Sequence, residues 1–257
     1  MSFNIAVAGK GGSGKTTLTS LIIRYLKNNS MVPILAVDAD ANANLGESLG
    51  LTVPKTVGQM LDEFQGDKIN IPPGMTKELY LDFKLNEILV ESQGLDLLTM
   101  GRGEGPECYC YPNVILKKFA DTLADNYAYT VMDNEAGMEH LSRRTTQDVD
   151  ALFLVSNHSV KGVRTIGRII ELVSSLKLRV KTQMAVISVV PDELDPLVEA
   201  ELDHQGINHV TIIPEDDEVF RYDLELRSML ELPDTSRAVQ AVRDLMEQAL
   251  AQTGTPA

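Results

Sequence analysis

At 257 residues, with 44% hydrophobic and 23% charged side chains, the chain is long enough to bury a large core and ordinary enough in make-up to be a soluble globular protein. A formal net charge of −14 repels a phosphate backbone, and the lack of Trp leaves little for bases to stack on, which argues against nucleic acid as a partner. Met1 to Asn4 leaves no room for a leader before the first strand, no apolar run reaches bilayer length, and two cysteines cannot staple a secreted scaffold, so the expectation is a cytoplasmic protein with no membrane partner.

The first predicted element is a strand over residues 4–8, followed at once by Gly9-Lys10-Gly11-Gly12-Ser13-Gly14-Lys15-Thr16-Thr17 and a predicted helix over 15–28. The run fits G-x-x-x-x-G-K-[ST] in the strand–loop–helix setting that this phosphate cradle requires. Its glycines let backbone N–H groups converge on phosphate oxygens, and the helix adds its N-terminal dipole. Lys15 is then expected on the β- and γ-phosphates of ATP and Thr16 on Mg²⁺. Residues 9–14 also satisfy the dinucleotide pattern G-x-G-x-x-G, with Asp38 near the place of a ribose-binding acid. That alternative has no use for Lys15-Thr16 or for a second acid at Asp40. Lys10 is a further cation that an ordinary loop of this kind does not need.

A strand over 32–37 runs into Asp38-Ala39-Asp40. Ligands of open α/β sheets sit at the carboxyl ends of strands, so one acid can address the metal shell while the other polarises the attacking water. Residues 54–94 are irregular, with Pro72-Pro73 and mixed periodicity, and read as an insertion carrying a helix over 57–64. A strand over 95–99 precedes the segment that holds both cysteines, Cys108-Tyr109-Cys110. Two thiolates this close chelate a soft or borderline metal, and a strained disulfide between them is disfavoured in a reducing compartment. They under-fill a four-coordinate ion, whereas a homodimer with this segment on its two-fold axis supplies four sulfurs.

Beyond a helix over 113–125, the strand over 129–132 ends in Asp133, an expected second holder of Mg²⁺ through water. Gly137 lets a backbone N–H approach the γ-phosphate and provides a hinge. Strands over 151–155, 183–189 and 209–213 then alternate with helices over 160–176, 192–202 and 236–252, before a frayed tail at 252–257. The alternation predicts one α/β domain over 1–257, a doubly wound, mostly parallel sheet with helices on both faces.

The phosphate loop with its extra lysine, the Asp38-x-Asp40 pair and the Asp133 segment resemble the deviant phosphate-loop ATPases, the superfamily of MinD, ParA, ArsA and the nitrogenase iron protein. The resemblance implies that Lys10 reaches across a homodimer to the partner's phosphates and that Asp40 orients the hydrolytic water. With Cys108-Tyr109-Cys110 added, the set resembles the carbon monoxide dehydrogenase maturation ATPases of the CooC type. That likeness implies ATP-dependent dimerisation and delivery of Ni²⁺ to the dehydrogenase as client, with Zn²⁺ able to occupy the same thiolates. Factors for acetyl-CoA synthase maturation are not separated from it by these residues. A positioning ATPase of the ParA or MinD kind needs a basic surface or a basic amphipathic terminus, and neither is evident. A reductase of the nitrogenase kind spaces its two cysteines far apart. Two departures stand out: Ala41 replaces a common Pro, and Ser188 lies in the strand end where the superfamily tends to read adenine with Asn. The resemblance then leaves more of the base contact to 214–219, beginning with Pro214.

Overall fold

Continuous runs of apolar residues, whose successive side chains point to opposite faces, make strands that must be covered on both sides. The computed structural model of the chain describes residues 2–66, 71–101, 123, 125–134 and 148–254. Among these residues the sheet has eight strands: β1 (Phe3–Gly9), β2 (Ile34–Asp38), β3 (Val90–Ser92), β4 (Leu95–Thr99), β5 (Tyr129–Asp133), β6 (Asp148–Asn157), β7 (Arg179–Val190) and β8 (Val210–Pro214), in the order β3-β4-β2-β5-β1-β6-β7-β8. Every pairing is parallel except β3 with β4, so the fold is α/β with a mostly parallel sheet.

Alternate residues of each strand enter different cores. Ile5 and Val7 of β1, Phe153 and Val155 of β6, and Met184 and Val186 of β7 pack with helices α1 (Lys15–Asn28) and α8 (Arg237–Thr253). Ala6 and Ala8, Leu152 and Leu154, and Ala185 and Ile187 point the other way, toward α5 (Val160–Ser175) and α6 (Pro196–His204). Further along that second face, Leu35 and Val37 of β2 meet α3 (Val57–Gly66) and α4 (Lys77–Glu87). Two short helices complete the described set, α2 (Leu45–Leu49) and α7 (Asp217–Leu224), with a 3₁₀ turn at Met229–Glu231. Buried Arg24 ties α1 to the segment after that turn by donating to Leu232 O at 2.6 Å and Asp234 Oδ1 at 2.8 Å.

Several predicted limits shift for local reasons. The strand expected from residue 32 begins at Ile34, because Pro33 has no N–H to give to a ladder. The helix expected over 192–202 begins at Pro196, with Asp195 as its cap accepting from Leu197 N at 2.8 Å. Proline is tolerated in a first turn and not in an interior, which sets that start. Gln252 ends the predicted helix as expected, and Thr253, expected in the frayed tail, extends α8 by one residue before its cap at Gly254. The helix expected over 113–125 lies almost wholly outside the described residues. Within the insertion, α4 and β3 follow α3, and neither they nor α7 were foreseen.

Candidate functional site

The loop after β1 opens at the centre of the sheet, between neighbours β5 and β6 that arrive much later in the chain. Chain connections leave in opposite directions on its two sides, the position where open α/β sheets bind ligands. Gly9 closes β1 against β6, and a Cβ there would sit 2.1 Å from Val155 O, so no other residue fits. Gly14 caps α1 at φ 81°, a left-handed conformation that glycine adopts without strain. No acidic residue lies in the first turn of α1, and its leading N–H groups have no partners within the helix. Such a terminus favours an anion.

Lys15 is buried, and its Nζ donates to Lys10 O at 3.4 Å, a long bond that a phosphate oxygen would outcompete. Lys10, Gly11 and Gly12 are exposed, while Ser13 is buried and Thr16 and Thr17 are half-buried. Thr16 Oγ1 donates to Asp133 Oδ2 at 2.6 Å.

Ladder register sets the acids in one row: Asp38 of β2 lies beside Asp133 of β5, which in turn lies beside Val7 of β1. Asp38 is fully buried, and its oxygens accept from Asp40 N at 3.1 Å and Leu45 N at 2.9 Å, so its carboxylate shapes the loop that carries Asp40. Asp40 is half-buried, with Oδ1 accepting from Asn42 N and Asn42 Nδ2, each at 2.9 Å. Burial pushes the Asp133 carboxyl up to about 7; the Thr16 hydroxyl and Lys15 ammonium oppose that rise, and the Asp38 and Asp40 charges add to it. Burial likewise takes Asp38 up to about 6 against its two backbone donors.

Among the described residues, four buried side-chain oxygens have no hydrogen-bond partner, on Ser13, Thr99, Asp133 and Asn134. Asp133 and Thr99 each pair directly with Asp38 in the ladder, so two of the four border one carboxylate. Buried polar atoms without partners are rare in folded chains and mark places where another group belongs. Asp133 Oδ1 and the Thr16 hydroxyl form a hard oxygen pair at the mouth of an anion cradle, which fits Mg²⁺ carried with phosphates. Among the described residues, no group of three or more His, Cys, Asp or Glu gathers to hold a metal by itself.

Beside Gly14 and Thr17 lies a mainly apolar cavity of about 220 Å³, walled by Ser188, Pro214, Val219 and Phe220. Its place next to the phosphate loop suits the base of a nucleotide. Sequence reasoning reached Pro214 and missed Phe220, whose only local signal is its position four residues before Leu224 on α7. It also missed Asn134, wholly buried, whose Nδ2 donates to Val7 O at 2.9 Å and holds the end of β5 to β1. Gly137, Cys108 and Cys110 lie outside the described residues. No described helix is long and apolar enough to cross a membrane.

Comparison with known proteins gives concordant results. Residues 5–229 match the family described as CobQ/CobB/MinD/ParA nucleotide binding domain. An uncharacterized ATP-binding protein of Methanocaldococcus jannaschii is 42% identical over 96% of this chain and 98% of its own length. The carbon monoxide dehydrogenase accessory protein CooC of Rhodospirillum rubrum is 27% identical over 68% of this chain and 70% of its own. A carboxysome-distribution protein of Gloeothece citriformis is 27% identical over 70% of this chain and 66% of its own. In structure, the septum site-determining protein MinD of Pyrococcus horikoshii, solved with Mg-ADP, superposes with a TM-score of 0.66 over 96% of each chain at 21% identity.

Proposed function

This chain belongs to the CobQ/CobB/MinD/ParA nucleotide-binding domain family, and we propose that within it the protein is an ATP-hydrolysing metallochaperone. The observation that carries hydrolysis is the Thr16–Asp133 bond, with the second Asp133 oxygen buried and unpartnered beside Lys15. Thr16 and Asp133 would hold Mg²⁺, Asp133 through water, with Asp38 behind it. The ion would supply charge neutralisation on the phosphates. Lys15 and the first amides of α1 bind and orient those phosphates. Asp40 keeps Oδ2 for the attacking water, since Oδ1 is engaged by Asn42. Lys10, exposed on the loop, reaches the phosphates of a second copy, so that ATP closes a homodimer.

Overall identity does not choose the task served by this cycle, because the CooC relative and the carboxysome-distribution relative both stand at 27%. Cys108 and Cys110 favour the first. They are the chain's only cysteines, and from two copies they make a four-sulfur site for Ni²⁺, with Zn²⁺ an alternative occupant. The net charge of −14 weighs against a surface that travels on nucleic acid. Carbon monoxide dehydrogenase is the proposed client. Nickel per subunit, measured with and without ATP, tests the reading: about one ion per two chains is expected with ATP, and none in a Cys108→Ala/Cys110→Ala variant. Unchanged nickel in that variant would remove the metal role and leave the ATPase standing.

A further inference from the structure

The end of β7 departs from regular strand geometry where it passes the phosphate loop. Pairing with β8 shifts between Ile187 and Val190, and Val189 holds φ at 55° while standing 56% exposed. A β-branched residue at positive φ is strained, and surroundings must enforce it. The consequence of that bulge is the position of Ser188. Its side chain is buried, and Oγ donates to Ser13 O at 2.7 Å, with Ser156 O a longer second acceptor at 3.3 Å. A serine hydroxyl has one proton, so the shorter contact takes it.

Ser13 O belongs to the same planar unit as Gly14 N–H. In a trans peptide the two point in opposite directions. Holding the Ser13 carbonyl toward β7 therefore turns the Gly14 amide away from β7. That amide lies at the start of α1, where phosphate oxygens are expected. Gly14 itself lies against Ser188, since a Cβ there would stand in ordinary contact with Ser188 Oγ at 3.4 Å.

We propose that Ser188 is a positioning residue for the phosphates: it braces the Ser13–Gly14 peptide so that the loop is preorganised, and it does not read the base. The proposal rests on the loop's being the phosphate site. It gives the strain at Val189 a use, and it leaves the base to the apolar walls of the neighbouring cavity.

Binding of Mg-ATP and of inorganic tripolyphosphate, which has no base, is to be measured calorimetrically on the full chain and on Ser188→Ala. A brace predicts that both affinities fall by the same factor, about fivefold to tenfold for one buried hydrogen bond. Ser188→Thr, which keeps the hydroxyl, restores both. Loss of ATP affinity with tripolyphosphate unaffected would make Ser188 a base reader and overturn the proposal, as would no change in either ligand. If Ser188→Ala fails to fold, Ser188→Cys, of similar volume and weaker as a donor, serves in the same comparison. Wild-type protein that binds neither ligand would instead refute the phosphate site itself.

Discussion

Asp133 and Asp216 both stand at or just beyond the carboxyl end of a parallel strand, yet their surroundings treat them in opposite ways. Asp216 has both oxygens occupied: Oδ1 accepts from Glu218 N at 2.9 Å, and Oδ2 accepts from Ser236 Oγ at 2.7 Å and Ala238 N at 3.0 Å. It thereby caps α7 and α8 together. Burial alone would raise its carboxyl, but these donors outweigh burial and hold it below the ordinary range. Asp133 has one short bond, one buried oxygen with no partner, and a carboxyl raised to about 7. One acid is complete within the fold. The other keeps a buried oxygen without a partner, as the proposed cation site requires, and the difference separates scaffold from site more sharply than burial or charge does.

The widest separation should come from Lys15→Ala. Turnover is expected to fall by about 10²–10³, the scale of losing one preorganised electrostatic contact to a developing charge. Phosphate release measures it, and the thermal midpoint without nucleotide should hardly move, because among the described residues the Lys15 ammonium makes one long hydrogen bond. Asp216→Ala should do the reverse. Two helix starts lose an acceptor, at a cost of about 2–3 kcal/mol in unfolding by denaturant, with kcat held while the KM for ATP rises, since Asp216 also lines the cavity beside Gly14. A variant of Asp216 that kept its stability would erase the contrast.

Asp133→Asn tests the other member of the pair and is expected to stabilise the protein when neither Mg²⁺ nor nucleotide is bound. The folded carboxyl, near 7, lies above its ordinary value of 3.8, so the native state holds an extra proton between those limits. Stability from this group is therefore present at low pH and lost as pH rises through about 7. Asn removes the penalty while still accepting from Thr16. A gain of about 2 kcal/mol at pH 8 is expected, shrinking as pH falls and vanishing below 3.8, where the wild-type acid is neutral folded and unfolded alike. Hydrolysis should be lost in the same variant. Equal stability at both pH values would mean that the buried carboxylate is tolerated as it stands.

Much of the phosphate end was legible because its cues are local. A strand, a glycine-rich loop and a helix follow one another within residues 3–28, and an acid terminates each of two apolar runs, at Asp38 and Asp133. Ladder register then puts those two acids side by side. What escaped reading depends on distance or on competition between signals. The Ser188–Ser13 bond joins residues 175 apart, and no local pattern announces it. Helix α7 lies in an acidic stretch whose aspartates resemble turn formers; Asp216 in fact caps it. At α6, apolar periodicity suggested an early start and Pro196 decided a later one.

Phe220 refines the contrast on the scaffold side, where polar groups are satisfied but an apolar one is not. It borders the cavity beside Gly14 and Thr17 and is 68% exposed, although it lies on a helix firmly capped by Asp216. An aromatic ring at that rim supplies a surface on which a base can stack. Base–aromatic stacking is worth about 1–3 kcal/mol, and a single-sided contact at a cavity rim belongs at the lower end. Phe220→Ala is therefore expected to weaken ATP about fivefold while leaving tripolyphosphate binding and thermal stability unchanged. That pattern is the converse of the one expected for Ser188→Ala, so measuring both variants against both ligands separates contacts to the base from contacts to the phosphates. If Phe220→Ala weakened both ligands alike, α7 would act on the loop itself, and the division between scaffold and site at this end of the sheet would have to be redrawn.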